Sequence, residues 1–142
     1  MVLHGLTFRA FCQATEDEFK VVQALKFVSG VDDVSRSRSE GYFGNLILIL
    51  EARVSSSRKI DAIFRRLDKS SIEEMIDSLE SRVDDECSFF FRLDKQEAYL
   101  GRLVMREGQE VIAVRGKIES YPKRRDAALA NMERYLESLV TV

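Results

Sequence analysis

At 142 residues, 45% of them hydrophobic and 32% charged, the chain has the size of one ordinary domain spanning 1–142, with enough apolar surface for a core and none of the low-hydrophobicity signature of disorder. No apolar run approaches the ~20 residues that cross a bilayer, and the start lacks a basic region followed by a long apolar stretch, so neither membrane insertion nor secretion is expected. A net charge of −2, with 22 Lys and Arg against 24 Asp and Glu, excludes strong nonspecific polyanion binding unless the cations gather on one face.

Between Leu3 and Gln13 the even positions His4, Leu6, Phe8, Ala10 and Cys12 form a mostly apolar side, the pattern of a half-buried strand. Thr15 with Glu18 three residues on makes a capping box, and the following helix carries Val21, Val22, Leu25 and Val28 on one stripe and stops at Gly30. Residues 31–40 have no apolar period and read as an exposed loop, whose Arg36 and Arg38 either meet phosphate or are simply solvated. Gly41-Tyr42-Phe43-Gly44-Asn45 leads into the run from Leu46 to Leu50, a central strand reaching about Val54.

Ser55, Ser56 and Ser57 can cap a second helix, in which Ile60, Ile63, Phe64 and Leu67 recur at helical spacing. A third helix follows Asp68, with Ile72, Met75, Ile76, Leu79 and Val83 inward and Glu73, Glu74, Asp77 and Glu80 outward. That acidic face reads as solvated surface. Asp84-Asp85-Glu86 is likewise not read as a metal site, because adjacent residues do not converge on one ion without a loop built for it.

Residues 89–101 combine three consecutive phenylalanines, a charged segment and a glycine, a buried strand running into a turn. Cys87, Phe89, Phe91 and Leu93 define the buried side, and Phe90 breaks the alternation. Its face needs a cover, and a second subunit of a homodimer is one candidate. Residues 102–105 and 110–119 then read as a hairpin around Gly108, with a bulge near Gly116. Pro122 opens a last helix whose inward stripe is Ala128, Met132, Tyr135, Leu136 and Leu139. Lys123-Arg124-Arg125 falls in its first turn, where the macrodipole disfavours cations by ~0.3–1 kcal/mol per exposed charge. Such a breach of a local rule, beside the free N–H groups of a helix start, marks a candidate phosphate site.

Catalytic chemistry is sparse. His4, the single histidine, sits on the apolar side of the first strand and is read as a half-buried structural residue, and Cys12 and Cys87 are read as reduced core thiols. No P-loop, GxGxxG, HExxH or CxxC spacing occurs. The expectation is therefore no enzyme, no cofactor and no metal.

Four segments resemble an archaeal family of small proteins described as predicted RNA-binding proteins related to the exosome. They are residues 10–17, residues 40–45, residues 92–101 with Leu93-Asp94-Lys95-Gln96-Glu97-Ala98-Tyr99-Leu100-Gly101, and Tyr121-Pro122-Lys123-Arg124. Gln13 stands where that family usually has histidine, so no role is carried over to it. The resemblance implies a cytoplasmic protein with a split βαβ sheet similar to ribosomal protein five of the large subunit, forming a homodimer. The elements read above agree: an α+β fold, a mostly antiparallel sheet backed by helices, in the order β-α-β-α-α-β-β-β-α.

Two functions stay open. In the first the chain is a noncatalytic module of archaeal RNA processing or the exosome, contacting structured RNA through Lys123, Arg124, Arg125, Lys95, Arg102, Arg36 and Arg38. In the second it is a homodimeric assembly module with Phe90 at the seam, binding exosome or ribosome-related proteins and no RNA directly.

Overall fold

The structure, a computed structural model, describes residues 1–40, 44 and 46–141. The expected lead-in at Gly41, Tyr42, Phe43 and Asn45 lies outside the described residues. In chain order the elements are β1 (Leu3–Cys12), α1 (Glu18–Ser29), β2 (Val34–Glu40), β3 (Leu46–Val54), α2 (Ser57–Arg66), α3 (Lys69–Asp77), a 3₁₀ turn (Leu79–Arg82), β4 (Ser88–Asp94), α4 (Lys95–Tyr99), β5 (Val111–Ile118) and α5 (Arg125–Val140). The strands form one five-stranded sheet in the order β2-β3-β1-β5-β4. Neighbours run antiparallel. The β2–β3 register shows it directly, and the bonds from Ile118 N to Cys87 O and from Lys95 N to Glu110 O set β4 against β5. The α+β class and antiparallel sheet match the sequence pattern, with differences at particular elements.

The chain divides into two compact units: Met1–Leu6, Ser55–Phe91 and Arg115–Val142 form one, Thr7–Val54 and Arg92–Val114 the other. In the first, α2 buries Ile60, Ile63 and Phe64, the stripe its spacing predicts, and Ser56 caps its start by accepting from Lys59 N at 3.4 Å. Phe64 is the hub of an aromatic cluster, with ring centroids 6.3 Å from Phe89, 5.7 Å from Phe91 and 5.6 Å from Tyr135, the last edge-on at 89°. The Tyr135 hydroxyl donates to Asp61 at 2.7 Å and Arg65 bonds the same carboxylate, so Arg65 first and Tyr135 second hold Asp61 below its ordinary pKa.

His4 is not semi-core. It is exposed and pairs with Glu119 at 2.6 Å, because Gly5 takes φ 85° and breaks the alternation, turning Leu3 inward in its place. The expected bulge near Gly116 is absent: β5 alternates without interruption, burying Ile112, Val114, Gly116 and Ile118. Gly116 is needed for room instead, since a Cβ there would lie 2.7 Å from Gly5 O and 2.8 Å from Leu6 Cδ2. Cys87 is buried as expected but precedes β4, in the left-handed region at φ 64°.

In the second unit α1 is capped by Asp17, not Thr15; its carboxylate accepts from Phe19 N at 3.0 Å. Val21, Val22, Leu25 and Val28 are buried and Gly30 ends the helix at φ 73°, both as predicted. The supposed loop at 31–40 contains β2, which pairs with β3 from Val34↔Ala52 to Glu40↔Leu46. Its serines and arginines suit an exposed edge, where only one side of the strand needs a partner and charge discourages further pairing. The turn after β4 is the short helix α4, capped by Asp94, which accepts from Glu97 N at 2.8 Å. Residues 102–105 do not form a strand; a single bridge, Leu93↔Met105, stands where the hairpin was expected.

Candidate nucleic-acid interface

In the first unit the run Lys123, Arg124 and Arg125 separates into three different roles. Arg125 opens α5 and turns its guanidinium to backbone carbonyls, with Nη2 at 2.6 Å from Glu80 O and 3.2 Å from Val83 O, and Nε at 3.3 Å from Val83 O. The cost of a cation at a helix start is thereby offset by carbonyls around the end of the 3₁₀ turn, which carry partial negative charge. Arg124 occupies the N-cap position without a side-chain cap bond; its guanidinium stays 67% exposed, 3.5 Å from Asp126. Lys123 is exposed at the edge of a cleft of about 490 Å³ lined by His4, Lys117, Ser120, Tyr121 and Asn131 among others. The Tyr121 side chain is wholly in solvent, at 100% exposure, and the buried Ser120 hydroxyl has no hydrogen-bond partner among the described residues.

The other cations singled out in the sequence belong to the second unit. Lys95 is buried, at 6% exposure, and its ammonium donates to Phe11 O at 2.8 Å and to both oxygens of Glu16 at 3.2 and 2.9 Å. Those bonds match the three donors a lysine has. Arg102 pairs with Glu97 and Arg36 with Glu18, each at 2.6 Å, while Arg38 has no ion pair among the described residues. Beside Lys95 a cleft of about 530 Å³ is lined by Glu16, Asp17, Lys20, Tyr99 and Glu110, with Lys20 Nζ 5.4 Å from the Tyr99 ring centroid. Its carboxylates outnumber its ammonium groups, which disfavours an anionic ligand.

Other chemistry is structural. Asp84 accepts from Glu86 N at 3.0 Å and Ser88 N at 2.9 Å and bonds Arg115 at 3.1 Å, so it organises the turn before β4. Cys12 and Cys87 are free and buried, and burial followed by the Glu16 carboxylate pushes the Cys12 thiol up, away from the reactive thiolate. No group of three or more His, Cys, Asp or Glu able to hold a metal occurs among the described residues. Phe90 is half-buried, on the side of β4 opposite Phe89 and Phe91.

Sequence reasoning put no weight on Lys117 and Tyr121. Lys117 lies inside an apolar strand, and the one signal for Tyr121 was its place in the Tyr-Pro-Lys-Arg segment. Together these features define an antiparallel α+β protein with a small basic cleft beside an exposed aromatic ring. The chain belongs to the family described as RNA binding, which matches residues 5–118. It is 35% identical to RNA-binding protein PAB1135 of Pyrococcus abyssi, over 94% of both chains. Among solved structures it is similar to a protein from Archaeglobus fulgidus, with TM-score 0.83 and 28% identity over 94% of this chain and 99% of that one. A DUF54 protein from Methanothermobacter thermautotrophicus gives TM-score 0.79 and 31% identity over 94% and 98%. No helix among the described residues is long and apolar enough to cross a membrane.

Proposed function

We propose that this chain is a noncatalytic RNA-binding protein of the archaeal cytoplasm, acting in RNA processing or beside the exosome. The observation that carries the reading is its membership of the RNA-binding family. The exposed Lys123 and Arg124 supply the first phosphate contacts, with Lys117 beside Lys123 in the same cleft. Arg38 is a secondary contact, as are Arg36 and Arg102 once their ion pairs exchange for phosphate, and Lys95 and Arg125 serve the fold around them.

Titration of structured and single-stranded RNA at several salt concentrations tests this, comparing the wild type with Lys123→Glu/Arg124→Glu. Each phosphate contact contributes roughly 0.7–0.9 to the slope of log K against log salt, so the variant loses affinity and about one to two units of slope. A wild type that binds no RNA, or a variant with unchanged slope, refutes the assignment. The second reading, a homodimer that binds other proteins and no RNA, draws on the half-buried Phe90 facing away from the aromatic cluster.

A further inference from the structure

We infer that the cleft at the start of α5 takes one unpaired nucleotide of single-stranded RNA, its base stacked on Tyr121 and its phosphates held by Lys117 and Lys123. The inference rests on the RNA reading above and adds the form of RNA and the groups that recognise it.

Tyr121 is the first ground. At 100% exposure its ring contributes no packing to the fold. A ring held out in water beside cations is what a base needs for stacking, and every base has such a face. Charge is the second ground. Lys117 and Lys123 line the cleft against one carboxylate, Glu119, which His4 already engages at 2.6 Å. The Ser120 hydroxyl is buried in the wall with no hydrogen-bond partner among the described residues. Asn131 fixes the wall by donating to Glu119 O at 3.1 Å. A volume of about 490 Å³ is in the range of small-molecule pockets and admits a nucleotide. Bases inside a duplex stay stacked on each other and cannot reach the ring, so the cleft selects unpaired RNA.

The test uses the full chain, a short single-stranded oligoribonucleotide, the same oligonucleotide with one abasic position, and a hairpin duplex. Tyr121→Ala is expected to weaken single-strand binding roughly 5- to 100-fold without changing the salt slope, while Tyr121→Phe keeps the affinity. The melting transition stays where it is in both, since the ring packs on nothing. Lys117→Gln/Lys123→Gln lowers the single-strand slope by about 0.7 for each phosphate no longer neutralised. The abasic oligonucleotide is expected to bind the wild type more weakly and to narrow its advantage over Tyr121→Ala. If the wild type binds RNA and Tyr121→Ala binds the single strand equally well, the stacking site is wrong and the RNA reading survives. Equal loss on hairpin and single strand also overturns it, and a wild type that binds neither overturns both.

Discussion

Lys95 shows how far a charged residue can be read from sequence. It lies in a segment of Arg, Asp, Lys, Gln and Glu with the composition of an exposed turn, and a phosphate contact was the natural expectation. Its ammonium instead lies inside the second unit, bound to Glu16 and Phe11 O. The partner is remote in sequence, and no local pattern announces which of several neighbouring charges turns inward. Replacing Lys95 by Met leaves the Glu16 carboxylate without its counter-ion, with Gln13 N at 3.1 Å still donating to it, and takes one donor from the Phe11 carbonyl. Breaking a buried pair costs about 3–5 kcal/mol, and because the Glu16 side chain keeps 22% exposure a loss of about 2–4 kcal/mol is expected in urea unfolding. Lys95→Met/Glu16→Met is expected to recover part of that loss, as the lone charge disappears. A single variant within about 0.5 kcal/mol of wild type, on the order of an ordinary surface change, would show that the pair does not hold the fold.

At the scale of elements, what could be read was whatever packs by period. The stripe Ile60, Ile63 and Phe64 is buried as predicted, because a helix with one apolar face has one way to hide it. β2 has a period of two with arginine on one side and serine on the other, and neither side is apolar, so hydrophobic patterning carries no trace of it. What makes it a strand is the hydrogen-bonding edge of β3, a tertiary fact. The shift at Gly5 was hidden for a related reason: alternation predicts a phase only while the backbone stays extended. β4 combines both situations. Phe89 and Phe91 join Phe64 in the core of the first unit, whereas Phe90 points the other way and is half-buried. A second copy covering Phe90 gives a definite expectation for Phe90→Asp: sedimentation shifts from dimer to monomer while cooperative unfolding persists. Loss of folding would place Phe90 in the core of its own subunit, and a wild type that sediments as a monomer would remove the seam altogether.

For the whole molecule, the net charge of −2 means that binding to a polyanion depends on local arrangement and not on long-range attraction. Composition therefore excluded general basic stickiness without locating a cleft. Length suggests one domain, and within it the folded chain divides into two compact units that are not successive in sequence. β1 passes from one to the other after Leu6, β4 after Phe91 and β5 after Val114, each without a break in the strand. We propose that this continuity makes the units melt together, since three strands run through both and neither unit can lose its part of a strand without fraying the remainder. At about 0.05–0.15 kcal/mol per residue the stability is roughly 7–20 kcal/mol, shared by a single transition. Tyr99 reports on the second unit and Tyr135 on the first, and with no tryptophan their fluorescence is not masked. Variants keeping one of these tyrosines, with the other three changed to Phe, are expected to give coincident melting curves, and calorimetric and van't Hoff enthalpies to agree. Two resolved transitions, or a Tyr99 curve displaced from the Tyr135 curve after correction for the stability of each variant, would mean that the strands do not couple the units.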